Sequence, residues 1–287
     1  MGGSYDSYKA AMKDPWKGWW VAWPPTQRVR LGDVFDTSGG ILRTAGDLTG
    51  RGIGFGSAPG TPAASFTYDA KGSVSTKFKL AGSVPQGFSA LAEMDAGALV
   101  EFTGAASVLV LYNGLTQEGF SDTRSIASEL ARLYWDGRWD TELVAVSDVV
   151  AATAGTVLTA AQRGASAELR VTAAAQAGPV SLIDLAGNVA FARSTSVGMQ
   201  WAGPDVTPFY RVVRLRKTWL ARIKTAYGSR QPGRGAAPAP VPPLIVEEAR
   251  DDPATVLESA PEDEQPPGFD GAAPAGPGEA PPEESRP

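Results

Sequence analysis

The sequence predicts an α+β fold, a mostly antiparallel twisted sheet with long amphipathic hairpins and a few helices, followed by a disordered C-terminal tail. Three observations predict it. Stretches of strict period-two alternation recur through the first 227 residues. Helical spacing is confined to short stretches and does not alternate regularly with strands, so a parallel βαβ succession is excluded. After Gly228 the composition turns abruptly to Pro, Ala and Glu.

The alternation is clearest in SVSTKFKL, residues 73–80, where Val74, Thr76, Phe78 and Leu80 share one face and Ser73, Ser75, Lys77 and Lys79 the other. AEMDAGALVEF, residues 92–102, repeats it, with Met94, Val100 and Phe102 opposite Glu93, Asp95 and Glu101. The Gly- and Pro-bearing segment between them reads as a loop, giving a hairpin over residues 73–102. SVLVLYNG, residues 107–114, reads as a more buried strand. Residues 123–139 read as a helix, with Asp122 or Ser121 as N-cap, Ile126, Leu130, Leu133 and Tyr134 at helical spacing, and Gly137 at the end. A strand follows over residues 141–150. Residues 156–171 read as a second hairpin around Gln162-Arg163-Gly164, with Leu158, Leu169 and Val171 among its apolar positions. Two further segments, 188–203 and 206–228, close the body, the latter ending in a basic amphipathic helix.

Near the start, WKGWWVAWPP at residues 16–25 holds four of the chain's eight tryptophans. Asp14-Pro15 is a helix-start signal, and Trp16, Trp19, Trp20 and Trp23 then fall at i, i+3, i+4 and i+7 until Pro24-Pro25 forbids continuation. A loop or strand entry fits equally well. Such indoles either plug the end of a β-rich core or, flanked by Lys13 and Lys17, sit at a membrane interface. The same choice arises at RVVRLRKTWLARIK, where Arg211, Arg214, Arg216, Lys217, Arg222 and Lys224 meet no acid in sequence while Leu215, Trp219 and Ile223 form a stripe. That segment suits an anionic surface or a solvated helix face.

Composition narrows the chemistry. With 287 residues, 43% of them hydrophobic, the chain supports a substantial core. Cysteine and histidine are both absent. Their absence removes disulfides, thiolate nucleophiles, Cys-ligated zinc, Ser-His and Cys-His pairs and the commonest metal ligand. The carboxylate pairs Asp33 with Asp36, Glu93 with Asp95 and Asp251 with Asp252 read as solvated faces. GRGIGFG, residues 50–56, lacks the Lys-Ser/Thr ending and the following helix of a phosphate loop. A non-enzymatic protein without a cofactor is expected. No apolar run reaches the roughly 18 residues of a spanning helix, so a cytoplasmic protein is expected.

Residues 228–287 carry four arginines against twelve carboxylates, net −8, which leaves +3 on residues 1–227 out of the formal −5. The expected domains are therefore 1–228, a folded α+β domain, and 229–287, a disordered Pro/Glu-rich acidic tail with regulation as one reading of its role. A charge of +3 over such a body is weak for nucleic-acid binding. Leu244, Ile245 and Val246 form an apolar island in the tail, either a chance cluster or a docking segment.

Taken in order, the Trp- and Pro-rich stretch running into RVRLGDVF, the strand ELVAVSDVV after a helix, the segment TVLTAAQRGASAELRV and the closing SVGMQWAGPDVTPFYRVVRL resemble the N-terminal pore-forming domain of gasdermins. The similarity spans most of residues 16–215. It implies a latent pore-former that binds anionic membrane lipid, is released by an activating protease, and associates with copies of itself into a membrane β-barrel, causing permeabilisation and cell death. By the resemblance, lipid contact falls to Lys17, Trp19, Trp20 and Trp23, with Arg211, Arg214 and Arg216 as a further set. The membrane hairpins fall at 73–102 and 156–171, through Val74, Phe78, Leu80, Val100, Phe102, Leu158, Leu169 and Val171. No counterpart of the family's helical repressor domain or of the N-terminal cysteine of its bacterial members is expected here, so repression, if it exists, falls to the tail. The alternative is a non-enzymatic binding or scaffold module whose acidic tail recruits a partner.

Overall fold

The structure, a computed structural model, describes residues 3–70, 72–172, 180–228 and 240–267. Helix α1 (Ser4–Met12) leads into the short strand β1 (Trp20–Val21). Strands β2 (Asp33–Asp36), β3 (Arg43–Asp47), β4 (Ser57–Pro59), β5 (Ala63–Asp69), β6 (Val74–Lys79), β7 (Gly97–Phe102) and β8 (Val108–Phe120) follow. After helix α2 (Thr123–Trp135) come β9 (Leu143–Ala160), β10 (Ser166–Val171), β11 (Val189–Thr195), β12 (Val197–Leu215) and helix α3 (Lys217–Tyr227). Beyond it lie α4 (Pro243–Asp251), the single turn α5 (Pro253–Val256) and β13 (Leu257–Ser259). The architecture is α+β and every strand pairing is antiparallel among the described residues.

The spine is the ladder between β9 and β12, 18 and 19 residues long, running from Val213 opposite Ala145 to Val197 opposite Ala160 with register shifts at 197–199, 206–209 and 211–212. β9 is rich in Val and Thr and contains no proline, which suits a strand buried on both faces. Its other edge carries β2 at one end and β8 along the rest, and β8 in turn carries β4 and β5. The outer edge of β12 carries β1 and β13. A second sheet, in the order β11-β10-β7-β6, packs on one face of the spine. Alternation explains how: Leu109, Leu111 and Leu158 join Val100, Phe102, Leu169 and Val171 in the core between the sheets. Their neighbours Val108, Val110 and Val157 turn to the opposite face and meet Tyr8 and Met12 of α1. At the other end of the spine, α2, α3, α4 and α5 pack around Ala145 and Leu215.

Several expectations hold in detail. Asp122 is the N-cap of α2, its carboxylate accepting from Arg124 and Ser125 N–H, and Gly137 takes a positive φ of 69° just past the end. β6 and β7 pair as a hairpin, Val74 opposite Phe102 and Phe78 opposite Ala98.

Others are corrected. Residues 156–171 are not a hairpin: β9 stays in the large sheet while β10 crosses to the small one, pairing with β7 and β11. Leu158 and Leu169 still face one core, but across a sandwich and not along a ladder. The second strand of the first hairpin starts at Gly97, because residues 92–96 turn away, with Ala92 N–H bonded to the Asp95 carboxylate. Nor does β6 keep its expected inner face to the end. Lys79 is 2% exposed, while Phe78 and Leu80 are 38% and 48% exposed. The Lys79 ammonium donates to the carbonyls of Ala92, Glu93 and Asp95 at 2.7–2.9 Å, which satisfies all three of its donors inside the protein. The tryptophan segment is not helical. It makes turns, then enters the sheet as β1. Finally, residues 240–267, expected to be disordered, are folded onto the body; the remainder of the expected tail, 229–239 and 268–287, lies outside the described residues.

Gly155 marks where the ladder is tightest. It stands opposite Tyr112 of β8 and Gly203 of β12. A Cβ there would lie 2.6 Å from the Tyr112 ring and 3.1 Å from Trp201. Tyr112 is itself held by a 2.8 Å bond between its hydroxyl and that of Tyr8. Gly155→Ala is therefore expected to displace Tyr112 and cost about 1–3 kcal/mol, read as a lowered urea midpoint. An unchanged midpoint would contradict this packing.

Candidate functional site

The C-terminal segment 240–267 lies as a strap over the side of the body where the tryptophans and the basic strand end meet. Ile245, Ala249 and Val256 enter the core formed by α2 and α3, so the strap is anchored first by apolar burial. Leu244 stays 69% exposed, which makes Ile245 the docking residue of the island, with Val246 half-buried beside it. The chain then adds β13 to the edge of β12, with Arg214 opposite Glu258. Val213 and Leu215 pack at that edge.

Past β13 the strap turns polar contacts towards the body. The Trp20 indole N–H donates to the carbonyls of Ala260 and Pro261 at 3.2 and 3.1 Å. The Gln265 carboxamide accepts from Val21 N–H at 3.0 Å and donates to the Val21 carbonyl at 2.7 Å. One side chain thereby supplies the bonds that a neighbouring strand would give β1, so this edge is closed without a further strand. Glu262 accepts from Gly18 N–H, Lys9 donates to the Gln265 carbonyl, and the Tyr5 hydroxyl donates to the Pro266 carbonyl.

Charge reinforces the clasp. Arg214 pairs with Glu258 through Nε at 2.8 Å and with Glu264 through its terminal nitrogens. Hydrogen bonding from Arg214 holds the Glu264 carboxyl below its ordinary value, against an upward push from burial. Arg222 pairs with Glu248 of α4. Lys13 meets Asp263 at 3.0 Å, but both side chains are more than half exposed and this pair adds little. Two of the arginines that meet no acid locally, Arg214 and Arg222, thus meet acids supplied by the strap.

The expected lipid-contact residues separate. Lys17 is exposed. Trp19 is buried beside Val21 and Phe209 under the guanidinium of Arg211, 4.3 Å from its ring. Trp20, 1% exposed, turns to the other side and packs edge-on against Tyr210 with Val144 and Val212. Trp23 is half-buried against Tyr5 and Tyr8. An extended chain alternates its side chains, so the single helical stripe expected from spacing does not form. Arg211, Arg214 and Arg216 are half-buried, and the Arg216 Nε has no acceptor among the described residues. Of the hairpin residues, Val100, Phe102, Leu158, Leu169 and Val171 are core, Val74 is half-buried, and Phe78 and Leu80 are exposed.

Two features were not anticipated. Gln265, Glu258 and Glu264 lie in the acidic tail, and their only advance signal is charge complementary to the basic strand end. The loop 80–96 carries Val84 and Met94 at 79% and 72% exposure. It is fastened down by Lys79 and, on its other side, by the buried Glu168 carboxylate, which accepts from Ser89 and Ala90 N–H. Among the described residues, four of the six exposed large hydrophobics, Phe78, Leu80, Val84 and Met94, therefore lie in one segment at the end of the β6–β7 hairpin. Among the described residues no group of His, Cys, Asp or Glu side chains gathers as a metal site. No protein-family model matches the chain, and no curated protein matches it.

Two outcomes are expected. Trp20→Ala removes a filled core position and should cost about 3–5 kcal/mol in unfolding free energy; a loss below about 1 kcal/mol would place the indole outside the core. Because the docked Glu264 carboxyl sits below its ordinary value of 4.5, its contribution to docking is complete above that pH and is lost as pH falls through the depressed value. Amide exchange in residues 257–265 should accelerate over that acid range, and Glu264→Gln should flatten the dependence. An identical pH profile in the variant would contradict the role given to this pair.

Proposed function

We propose that this chain is a latent, gasdermin-like membrane-permeabilising protein held closed by its own C-terminal strap, and that proteolysis before the strap releases it. One observation carries the reading: the strap lies on Trp20 and Arg214, which belong to the aromatic and basic segments assigned to lipid contact. Removing it would uncover an indole edge, an arginine and the unpaired edges of β1 and β12 together. An aromatic and cationic edge suits the headgroup region of an anionic bilayer.

The exposed apolar residues Phe78, Leu80, Val84 and Met94 support the same reading from another side. They project from the end of the β6–β7 hairpin, with Phe78 and Leu80 on the side away from the buried Lys79. A hairpin of that kind satisfies its backbone in a bilayer only when its edges close against neighbouring copies, so permeabilisation requires self-association. The second segment, 156–171, must first leave the sandwich: its arms pair with different strands, and β10 has to exchange β7 and β11 for β9. Release of the small sheet from the spine is therefore the costly step in this scheme.

Recruitment of a partner by the acidic tail is less well supported for residues 258–265, whose carboxylates and carboxamide are occupied within the molecule. Full-length protein carrying Glu258→Lys, Glu264→Lys and Gln265→Ala separates the two readings, with strap detachment verified by amide exchange. Dye should escape from vesicles containing anionic lipid and not from purely zwitterionic ones, while the unaltered chain stays silent. A detached strap without leakage from anionic vesicles would retire the pore-former in favour of the binding module.

A further inference from the structure

Residues 80–96 lie over the outer face of the small sheet, where strand alternation and register place Lys79, Leu99 and Glu168 on one side. A Cβ built on Gly87 would lie 3.4 Å from Leu99, and one built on Gly97 would lie 2.6 Å from Leu91, so the loop closes directly onto the sheet. Leu99 is 6% exposed under this cover. Two buried side chains of opposite charge hold the loop, and each bonds to loop backbone. Lys79 binds the carbonyls of Ala92, Glu93 and Asp95. Glu168, 4% exposed, binds donors: Ser89 N–H reaches its two oxygens at 3.1 and 3.0 Å, the Ser89 hydroxyl reaches Oε1 at 2.7 Å, and Ala90 N–H reaches Oε2 at 2.8 Å. The Ser89 oxygen in turn accepts from Arg193 at 2.7 Å.

The two locks respond differently to acid. An ammonium is already protonated and is unchanged. A carboxylate that gains a proton becomes a donor, and Glu168 would then turn that donor towards groups that cannot accept it. The N–H groups of Ser89 and Ala90 only donate, and the Ser89 hydroxyl oxygen is taken by Arg193.

We propose that residues 80–96 form an acid-released lid, with Glu168 as the lock that opens and Lys79 as the pivot that stays. Residues 83–91 lift, while 92–95 remain on Lys79 and Gly82 remains bonded to the Glu93 carbonyl. Lifting uncovers Leu91 and Leu99 beside Val84 and Met94, which enlarges the apolar surface at this end of the molecule.

The direction follows from the bonding. Burial pushes the Glu168 carboxyl up, but the bonds from Ala90 and Ser89 together with the charge of Arg193 push it further down, leaving it below its ordinary value of 4.5. Its hold on the lid is therefore complete above that value and is lost as pH falls through the depressed one. The charged groups nearby are Arg193, directly opposite on β11; Arg170 on β10 itself; Lys77 and Glu101, paired with each other at 2.7 Å; and Lys79, Glu93 and Asp95 at the base of the loop. The Asp95 carboxylate accepts from Ala92 N–H. Of these, Arg193 is the charge that bears on the Glu168 proton. The lid stands apart from the strap and from any action at membranes.

The experiment follows amide exchange of the full-length chain, residue by residue, from about pH 6 to about pH 3, with each rate taken relative to an unstructured amide at the same pH. Protection at Ser89 and Ala90 should fall by up to about tenfold per pH unit between the ordinary and the depressed value. Asp95 and Gly82 should keep theirs over that range, as should the amides of β9. Glu168→Gln takes up no proton there and should leave Ser89 and Ala90 weakly protected at every pH. Arg193→Gln keeps the carboxylate and its backbone donors, so it tests the same lock by a milder change, and it should move the loss of protection to higher pH. Protection at Ser89 and Ala90 that does not change with pH, or the same profile in Glu168→Gln as in the unaltered chain, would overturn the lock. Loss at Asp95 and Gly82 in step with Ser89 would overturn the pivot. The strap reports separately at residues 257–265, so its own acid response is distinguishable from that of the lid.

Discussion

Everything in this molecule depends on the long ladder between β9 and β12. β9 is buried along most of its 18 residues, and β12 is buried chiefly over residues 206–215. The faces there are covered, and the covers differ from end to end. The small sheet and α1 take one end. The helices take the other, with Trp20 and its neighbours on the reverse side. The strap completes this last cover, since Ala260 packs in the same cluster as Trp20, Val144 and Val212. Its docking is thus a consequence of the length of the spine.

The strap is held by two kinds of force with different reach. Ile245, Ala249 and Val256 are buried in a core shared with α2 and α3, and such burial is not weakened by ionic screening. The contacts from Glu258 to Gln265 are hydrogen bonds and ion pairs at a partly exposed edge, and those with charge weaken with ionic strength and acid. The two halves of the strap are therefore expected to differ in local stability, with the polar half opening first. That order matters because the polar half covers the indole edge of Trp20.

Much of this was legible in the sequence, and the gaps have physical causes. The cap of α2 at Asp122 and the pairing of 74–79 with 97–102 could be read because each is a local rule with one geometric solution. Residues 156–171 could not, because alternation states which side chains share a face and not which strand bonds to which. Leu158 and Leu169 share a core in a hairpin and in a sandwich alike. The indoles at 16–23 fit helical spacing, yet Trp20 and Val21 found partners in Tyr210 and Phe209 on β12, a tertiary choice that no local window contains. The strap was hidden for a similar reason. Its composition is that of a disordered segment, and its anchors are few and scattered. Arg214 meets its acids 44 and 50 residues away, a separation at which charge complementarity is only visible once both segments are placed.

The central claim is that the strap leaves the body when the chain is cut ahead of it and that membrane action follows. The chain contains no cysteine, so two introduced ones carry unique spin labels. Lys17→Cys and Asp263→Cys place them on exposed positions either side of the clasp. Double electron–electron resonance is measured with anionic vesicles before and after cleavage at a protease site inserted after Gly228. The account predicts one short, narrow distance before the cut, and its loss, with the onset of dye release, after it. A short distance that persists while the vesicles leak would contradict it.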